Sequence, residues 1–289
     1  MPRSRRWIAL ALSLALAPLG AQQPTYETTR VADGVYRFRW QSHNGLFVVA
    51  PRGVIAVDPI SMQAAATFAS EIKRVAPGVP LAAIVYSHSD ADHATGAPAL
   101  MAGMSQQNVP IIAHEAAVAP IRRAASADLP PPTITFAERL VLEHLGRRVE
   151  LHYFGRSHTD NLIIPFVPDA GVAFAVDFVS NDRVGFQQLP GYHFPDYFDV
   201  VKGMLDLPFT TVVFGHGPDG DRASIQRQYA YYDDLRAAVR RAIAQGLTEE
   251  QAAAQVRLEA YARWGQYEAW FPMNVRGMYR ALAAPPDGR

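Results

Sequence analysis

The chain contains no cysteine, which excludes disulfides, a zinc–thiolate site, a cysteine nucleophile and a lipid anchor through cysteine. In an oxidising compartment the fold then rests on core packing, supplemented by any metal it binds. Also lacking is an apolar run of the roughly 20 residues that a membrane-spanning helix requires. The shorter run Trp7 to Leu16 follows Arg3, Arg5 and Arg6 and precedes small residues ending at Ala21, which is the layout of a secretory signal peptide. Ser4-Arg5-Arg6-Trp7-Ile8 matches the twin-arginine signal only loosely, so the general secretory route is the expected one. Residues 1–21 are expected to be removed and the mature protein to be periplasmic or secreted, without stable membrane insertion. Charge excess is the third absence: 27 Lys and Arg balance 27 Asp and Glu. Residues 1–21 hold three arginines and no acid, so cleavage leaves 24 against 27, a net charge of −3. A mildly acidic chain is a poor partner for nucleic acid, whose affinity comes mainly from Lys and Arg neutralising phosphates.

With 289 residues and 49% hydrophobic content, the chain can bury a large core. Residues 22–289 are expected to form one α/β domain. Val35 to Trp40, Gly45 to Val49 and Val54 to Val57 read as short strands divided by Asp33-Gly34, Asn44-Gly45 and Pro51-Arg52-Gly53, a spacing that suits an antiparallel meander. Residues 62–75 read as a helix with Phe68, Ile72 and Val75 on one face and Pro77-Gly78 behind it. Leu81 to Tyr86 reads as a buried strand, and strands and helices then alternate: a helix near Ala97 to Met104, and strands at Val109 to Ala113, Leu140 to Leu142, Val149 to Tyr153, Leu162 to Phe166, Val172 to Val176 and Thr211 to Phe214. Mixed strands with interleaved helices predict a layered α/β fold. From residue 222 onward the pattern is helical. Ile225, Tyr229, Tyr232, Leu235, Val239 and Ile243 form a stripe, Gly246 can close that helix, and Thr248-x-x-Gln251 can cap the next.

The chemistry concentrates in His88-Ser89-Asp90-Ala91-Asp92-His93, just past a buried strand. Neutral imidazoles and carboxylates are the donors that divalent metals take, and a loop at a strand end can turn several into one cleft. A polar turn would have a similar composition, but three later features point the same way. His158 lies in a loop between two predicted strands, Asp177 follows the apolar strand Val172 to Val176, and His216 sits between glycines at the end of Thr211 to Phe214.

This order of residues resembles the metallo-β-lactamase superfamily from about Val31 to about Asp219. The resemblance implies an αββα sandwich, two mixed β-sheets with helices on the outer faces, around one or two metal ions. It implies that His88 and His158 hold a first metal, that Asp92, His93 and His216 hold a second, and that Asp177 bridges them, as in glyoxalase-like and lactonase-like members. β-Lactamases of the family usually have Cys or Ser near that last place, so a hydrolase outside the antibiotic-resistance branch is implied. Asp58 looks like the buried carboxylate that orients the histidine loop. The activity implied is metal-activated hydroxide attacking an ester, lactone, amide, lactam or thioester carbonyl of a small molecule, with Asp92 orienting the nucleophile and handling its proton.

One position departs from the pattern: Asp90 stands where the usual motif has His. With Asp90, Asp92, Asp177 and a hydroxide, about four negative charges would face the four of two divalent ions, leaving the water less acidified. Asp is also a harder ligand, and a flavodiiron-type member of the superfamily carries Glu there and binds iron. One or two zinc ions are therefore expected, with iron as the alternative because of Asp90. If Asp90 does not reach, one ion alone is held tightly. Three other functions stay open: an iron-dependent redox enzyme, opposed by the lack of a flavin-binding segment or cysteine relay; a small-molecule phosphodiesterase; and a binding protein that keeps a structural metal. The aromatic and proline-rich stretch Phe186 to Phe198 suits a loop roofing an apolar pocket or one packed on the core, and His193 within it is a candidate for substrate contact. Tyr261, Trp264, Tyr267, Trp270 and Phe271 read as core or partner surface. The sequence carries no signature of an oligomeric state.

Overall fold

The computed structural model describes residues 25–283; the expected signal peptide lies outside the described residues. The first sheet contains β1 (Tyr26–Ala32), β2 (Val35–Trp40), β3 (His43–Ala50), β4 (Gly53–Val57), β5 (Leu81–Val85), β6 (Ile111–His114) and β7 (Ile134–Phe136), lying side by side in that order. Its first four strands are antiparallel and its last three join in parallel. The second sheet holds β8 (Arg139–Leu142), β9 (Val149–His152), β10 (Ile164–Val167), β11 (Val172–Ala175), β12 (Thr211–Phe214) and β13 (Gly220–Asp221), antiparallel except for the pairing of β11 with β12. Helices α1 (Met62–Val75), α2 (Ala91–Ala94), α3 (Ala97–Gly103) and α4 (Val118–Ala124) fall among the strands of the first sheet; α5 (Phe194–Asp206), α6 (Arg222–Ala244), α7 (Glu249–Gln255) and α8 (Tyr267–Ala283) belong to the second half.

Three apolar layers hold these elements together. Leu46, Val48, Ile55 and Val57 of the first sheet share one buried cluster with Leu151, Val172, Phe174 and Val213 of the second, so the sheets meet face to face. Strand side chains alternate between faces, so Phe47, Val54 and Ala56 point the other way and pack with Phe68, Ile72 and Leu100 of α1 and α3. Phe166, Ala173, Val212 and Phe214 likewise pack with Tyr197, Tyr232, Leu235 and Phe271 of the later helices. Each large apolar side chain buried in this way contributes about 1.5–3 kcal/mol. Two mixed sheets between helical layers form the expected αββα sandwich.

Local signals explain most element ends. Ser61 caps α1, its hydroxyl accepting from Ala64 N–H at 3.1 Å, and the helix covers the expected residues. Thr248 and Gln251 form the expected reciprocal cap of α7. β1 precedes the strands read from the sequence; it is an edge strand whose side chains are all partly or fully exposed, so it lacks the apolar alternation that marks a half-buried strand. One expectation needs correction. The stretch Phe186 to Phe198 is not all loop: from Phe194 it is α5, with Pro195 in the first turn and Phe194, Tyr197 and Phe198 buried, because proline is tolerated where the first N–H groups have no partner anyway.

Candidate metal centre

The centre forms where four chain segments leave the ends of strands of both sheets. After β5, Ser87 and His88 run into one helical turn, α2, for which Asp90 is the N-cap residue. Asp90 does not cap that turn with its side chain; its carboxylate faces His158 instead, at 3.2 Å from Nε2, and stands 3.5 Å from His88 Nε2. Asp90 therefore reaches the cluster. The turn brings Asp92 and His93 toward the same cleft, and Asp58 holds it from below: fully buried, Asp58 accepts from the Ser87 backbone and hydroxyl and lies 3.3 Å from His93 Nδ1. Asp58 thus occupies the orienting place expected of it.

The loop between β9 and β10 carries His158 and is bound to the first by Asn161, whose amide oxygen accepts from Ser89 N–H at 2.9 Å, and by Ile163 N–H donating to Ser87 O at 2.8 Å. Beyond β11, Asp177 adopts a left-handed backbone, φ 62°, a conformation uncommon for a residue with a side chain and one that clusters at functional sites. Tyr192 hydroxyl donates to its carbonyl at 2.6 Å. Beyond β12, His216 presents Nδ1 to Ser42 O at 3.0 Å, leaving Nε2 for the cluster.

Asp177 stands at the middle of the arrangement. One carboxylate oxygen is 3.0 Å from His216 Nε2; the other is 3.3 Å from His93 Nε2, 3.5 Å from His88 Nε2 and 3.9 Å from His158 Nε2. His93 and His216 approach each other at 3.2 Å through their Nε2 atoms. Ligands sharing an ion at bonds of about 2.1 Å in tetrahedral geometry lie about 3.4 Å apart, so these separations fit. The donor atoms gather into His88, His158 and Asp177 on one side and His93, His216 and Asp177 on the other. The fully buried His88 Nε2 has no hydrogen-bond partner among the described residues, as expected of a nitrogen meant for a cation.

Electrostatics agree with that fit. Burial pulls the His88 imidazole down, but the carboxylates of Asp177 and Asp90 outweigh it and raise the group to about 9. His93 is likewise raised against its burial, by Asp177 and Asp58. Burial pushes Asp177 and Asp90 upward, yet the imidazoles around each hold it below the ordinary carboxylate value. Asp92 is lowered chiefly by His43. Protons therefore balance the clustered carboxylates in the metal-free protein, and a divalent cation would displace them.

The floor opens into a cleft of about 600 Å³ walled by Arg183, Phe186, Pro190, Tyr192, Gln266 and Trp270. Trp270, expected in the core or at a partner surface, borders this cleft, whereas Tyr261, Tyr267 and Phe271 are core. His193 is not among the lining residues; its ring lies 3.3 Å from Asp196 at the start of α5. Arg183 forms no ion pair among the described residues, and its guanidinium lies 5.7 Å from the centre of the Trp270 ring. His43, the first residue of β3, and Arg183 are participants that single-residue reading does not reveal, since no motif marks either, whereas Tyr192 lies within the aromatic stretch expected to roof a pocket.

The sequence model of the metallo-beta-lactamase superfamily matches residues 38–216, the span that carries the cluster. The chain belongs to the metallo-β-lactamase superfamily. Among solved structures it is similar to a metallo-β-lactamase from Pontibacter korlensis, with a TM-score of 0.61 and 19% identity over 71% of this chain and 98% of that one. It is also similar to the DIM-1 metallo-β-lactamase, with a TM-score of 0.60 and 20% identity over 72% and 96%. A third likeness, to the stereoselective inverting sec-alkylsulfatase Pisa1 from Pseudomonas sp., has a TM-score of 0.71 and 17% identity over 91% of this chain and 51% of that one. At these identities the likenesses show the superfamily fold. Among curated proteins none matches the chain.

Proposed function

We propose that this superfamily member is an exported metal-dependent hydrolase acting on a small molecule that carries an anionic group beside the bond to be cleaved. The observation behind the metal reading is the convergence of His88, His93, His158 and His216 on Asp177 at the floor of an open cleft. His88, His158 and Asp90 would hold one ion, Asp92, His93 and His216 the other, with Asp177 between them. When bound, such ions supply the Lewis acidity that makes hydroxide available near neutral pH and polarises a carbonyl.

The chain supplies the rest. Asp92, kept ionised and bordering the cleft, is placed to orient an attacking water and to take its proton. Arg183, unpaired on the cleft wall, supports recognition of a carboxylate or another anion on the substrate, since guanidinium pairs with such groups through a planar fork. Phe186 and Trp270 give its apolar part a surface. The bond cleaved would be that of an ester, lactone, amide, lactam or thioester. Elemental analysis of the protein from its native host, followed by hydrolysis assays on those classes with and without chelator, tests this reading. Protein without a divalent metal, or turnover indifferent to its removal, would sink it.

A second reading draws on Asp90. Two histidines with one carboxylate and open positions are a donor set used for iron(II) in oxygen chemistry, and His88, His158 and Asp90 form such a set. Iron in the isolated protein that changes oxidation state with substrate would select this reading over hydrolysis, and phosphodiester turnover in the same assays would select a phosphodiesterase.

A further inference from the structure

We propose that His43 is a protein ligand of the second metal position, which makes that position nitrogen-rich and tight while leaving the first oxygen-rich and weak. The inference rests on the two-position reading above. His43 opens β3, and its backbone is pinned to the far sheet. It pairs with His216 across an isolated bridge, and the next residue, Asn44, donates from its backbone to Gly215 O at 2.8 Å and from its amide to Phe214 O and Gly217 O at 2.8 and 2.9 Å. Gly45 follows so closely against Asp58 that a Cβ would lie 2.6 Å from its carbonyl oxygen. The location of the imidazole is therefore set jointly by the strand ends that carry His216 and Asp58.

Its orientation is set as well. Nδ1 faces the Ser42 hydroxyl at 3.3 Å, and Nε2 turns into the site, 3.2 Å from Asp92 Oδ2. The ring meets that of His216 edge-on at 4.5 Å. One donor atom each from His43, Asp92 and His216 lies within 4.8 Å of the others. A partner that merely steadies a ligating carboxylate is expected on the oxygen turned away from the metal. His43 instead approaches Oδ2, the same oxygen that stands 3.8 Å from His93 Nε2.

The first position has His88, His158 and Asp90. With His43, the second has three imidazoles and Asp92, and Asp177 is shared. The imidazole that Asp90 displaces from the first position is thus matched by an additional one at the second. Imidazole suits zinc, and carboxylate suits harder ions, so the two positions should differ in affinity and in preferred metal, the second filling first.

The test is zinc titration of the metal-free wild type and of the variants His43→Ala and His43→Gln against a chromophoric chelator, with X-ray absorption counting imidazoles in the one-zinc protein. Circular dichroism checks that the metal-free variants keep the wild-type fold. The expected result is a tight first step weakened in both variants, by at least the roughly 10–100-fold that loss of an outer partner costs, with the second step unchanged. The imidazole count should be three in the wild type and two in the variants. If His43 only steadies Asp92, the Gln amide restores the hydrogen bond and the affinity, and the wild type already counts two; either result overturns the proposal while leaving the metal centre standing. A wild type that takes up no zinc overturns both.

Discussion

Asp58 accepts two hydrogen bonds from Ser87, from the backbone N–H at 2.7 Å and from the hydroxyl at 2.6 Å. That pair fixes where β5 ends and the histidine-bearing turn begins. The Ser87 hydroxyl also lies 2.9 Å from His88 Nδ1, and Asp58 lies 3.3 Å from His93 Nδ1, so one buried carboxylate sets the direction of two imidazoles.

Replacing Asp58 with Ala leaves the Ser87 donors unpartnered in a dry site, and the expected cost is about 3 kcal/mol of stability. Metal affinity should fall roughly 10–100-fold. Urea unfolding and a chelator competition measure the two effects; a loss below about 1 kcal/mol would contradict the role.

Asp92→Asn keeps the shape of a side chain that is more than half exposed, so the fold should survive within about 0.5 kcal/mol. Turnover should drop by about 10²–10⁴, the usual worth of a positioned general base. Steady-state kinetics on any accepted substrate decides it, and retained kcat removes Asp92 from the catalytic role.

Arg183→Ala should lower kcat/KM for anionic substrates about 10–100-fold, matching the roughly 1.5–3 kcal/mol of a hydrogen bond to a charged group. Neutral analogues should be hydrolysed as before. Equal losses on both would mean that Arg183 shapes the cleft rather than reading charge.

Asp90→His removes one negative charge from the first position and restores the usual pattern of the superfamily. The acid limb of the pH–rate profile should move to lower pH, by about one unit, because a more positive site acidifies water further. An unmoved limb would place Asp90 outside the metal's influence.

The metal-free protein should show a specific pH dependence. His88, raised to about 9, and His93 bind protons more tightly folded than unfolded, so their stabilisation is full below about 6.5 and lost as pH rises through about 9. Asp177 and Asp90 are lowered, so theirs is present above about 3.9 and lost as pH falls below it. This cluster therefore stabilises the metal-free fold most between about pH 4 and 6.5. Thermal unfolding from pH 5 to 9.5 should show the alkaline decline in metal-free protein and a flatter profile with metal bound; identical profiles would rule out metal replacing those protons.

The sequence alone determined most of the layering and named six of the residues that meet at the cluster, though not His43. His88, Asp92, His93, His158, Asp177 and His216 are legible because their residue types carry the chemistry and each follows a recognisable apolar strand, and α1 is legible because Phe68, Ile72 and Val75 repeat at helical spacing and Pro77-Gly78 ends the pattern. Only the tertiary structure decided that Asp90 reaches the cluster, that His43 meets Asp92 from 49 positions away, and that Arg183 and Trp270 face the cleft while His193 does not. Local pattern reflects which face of a strand or helix avoids water. The meeting of two strand ends from different sheets depends on how the sheets pack, and that is a property of the whole core rather than of any segment within it.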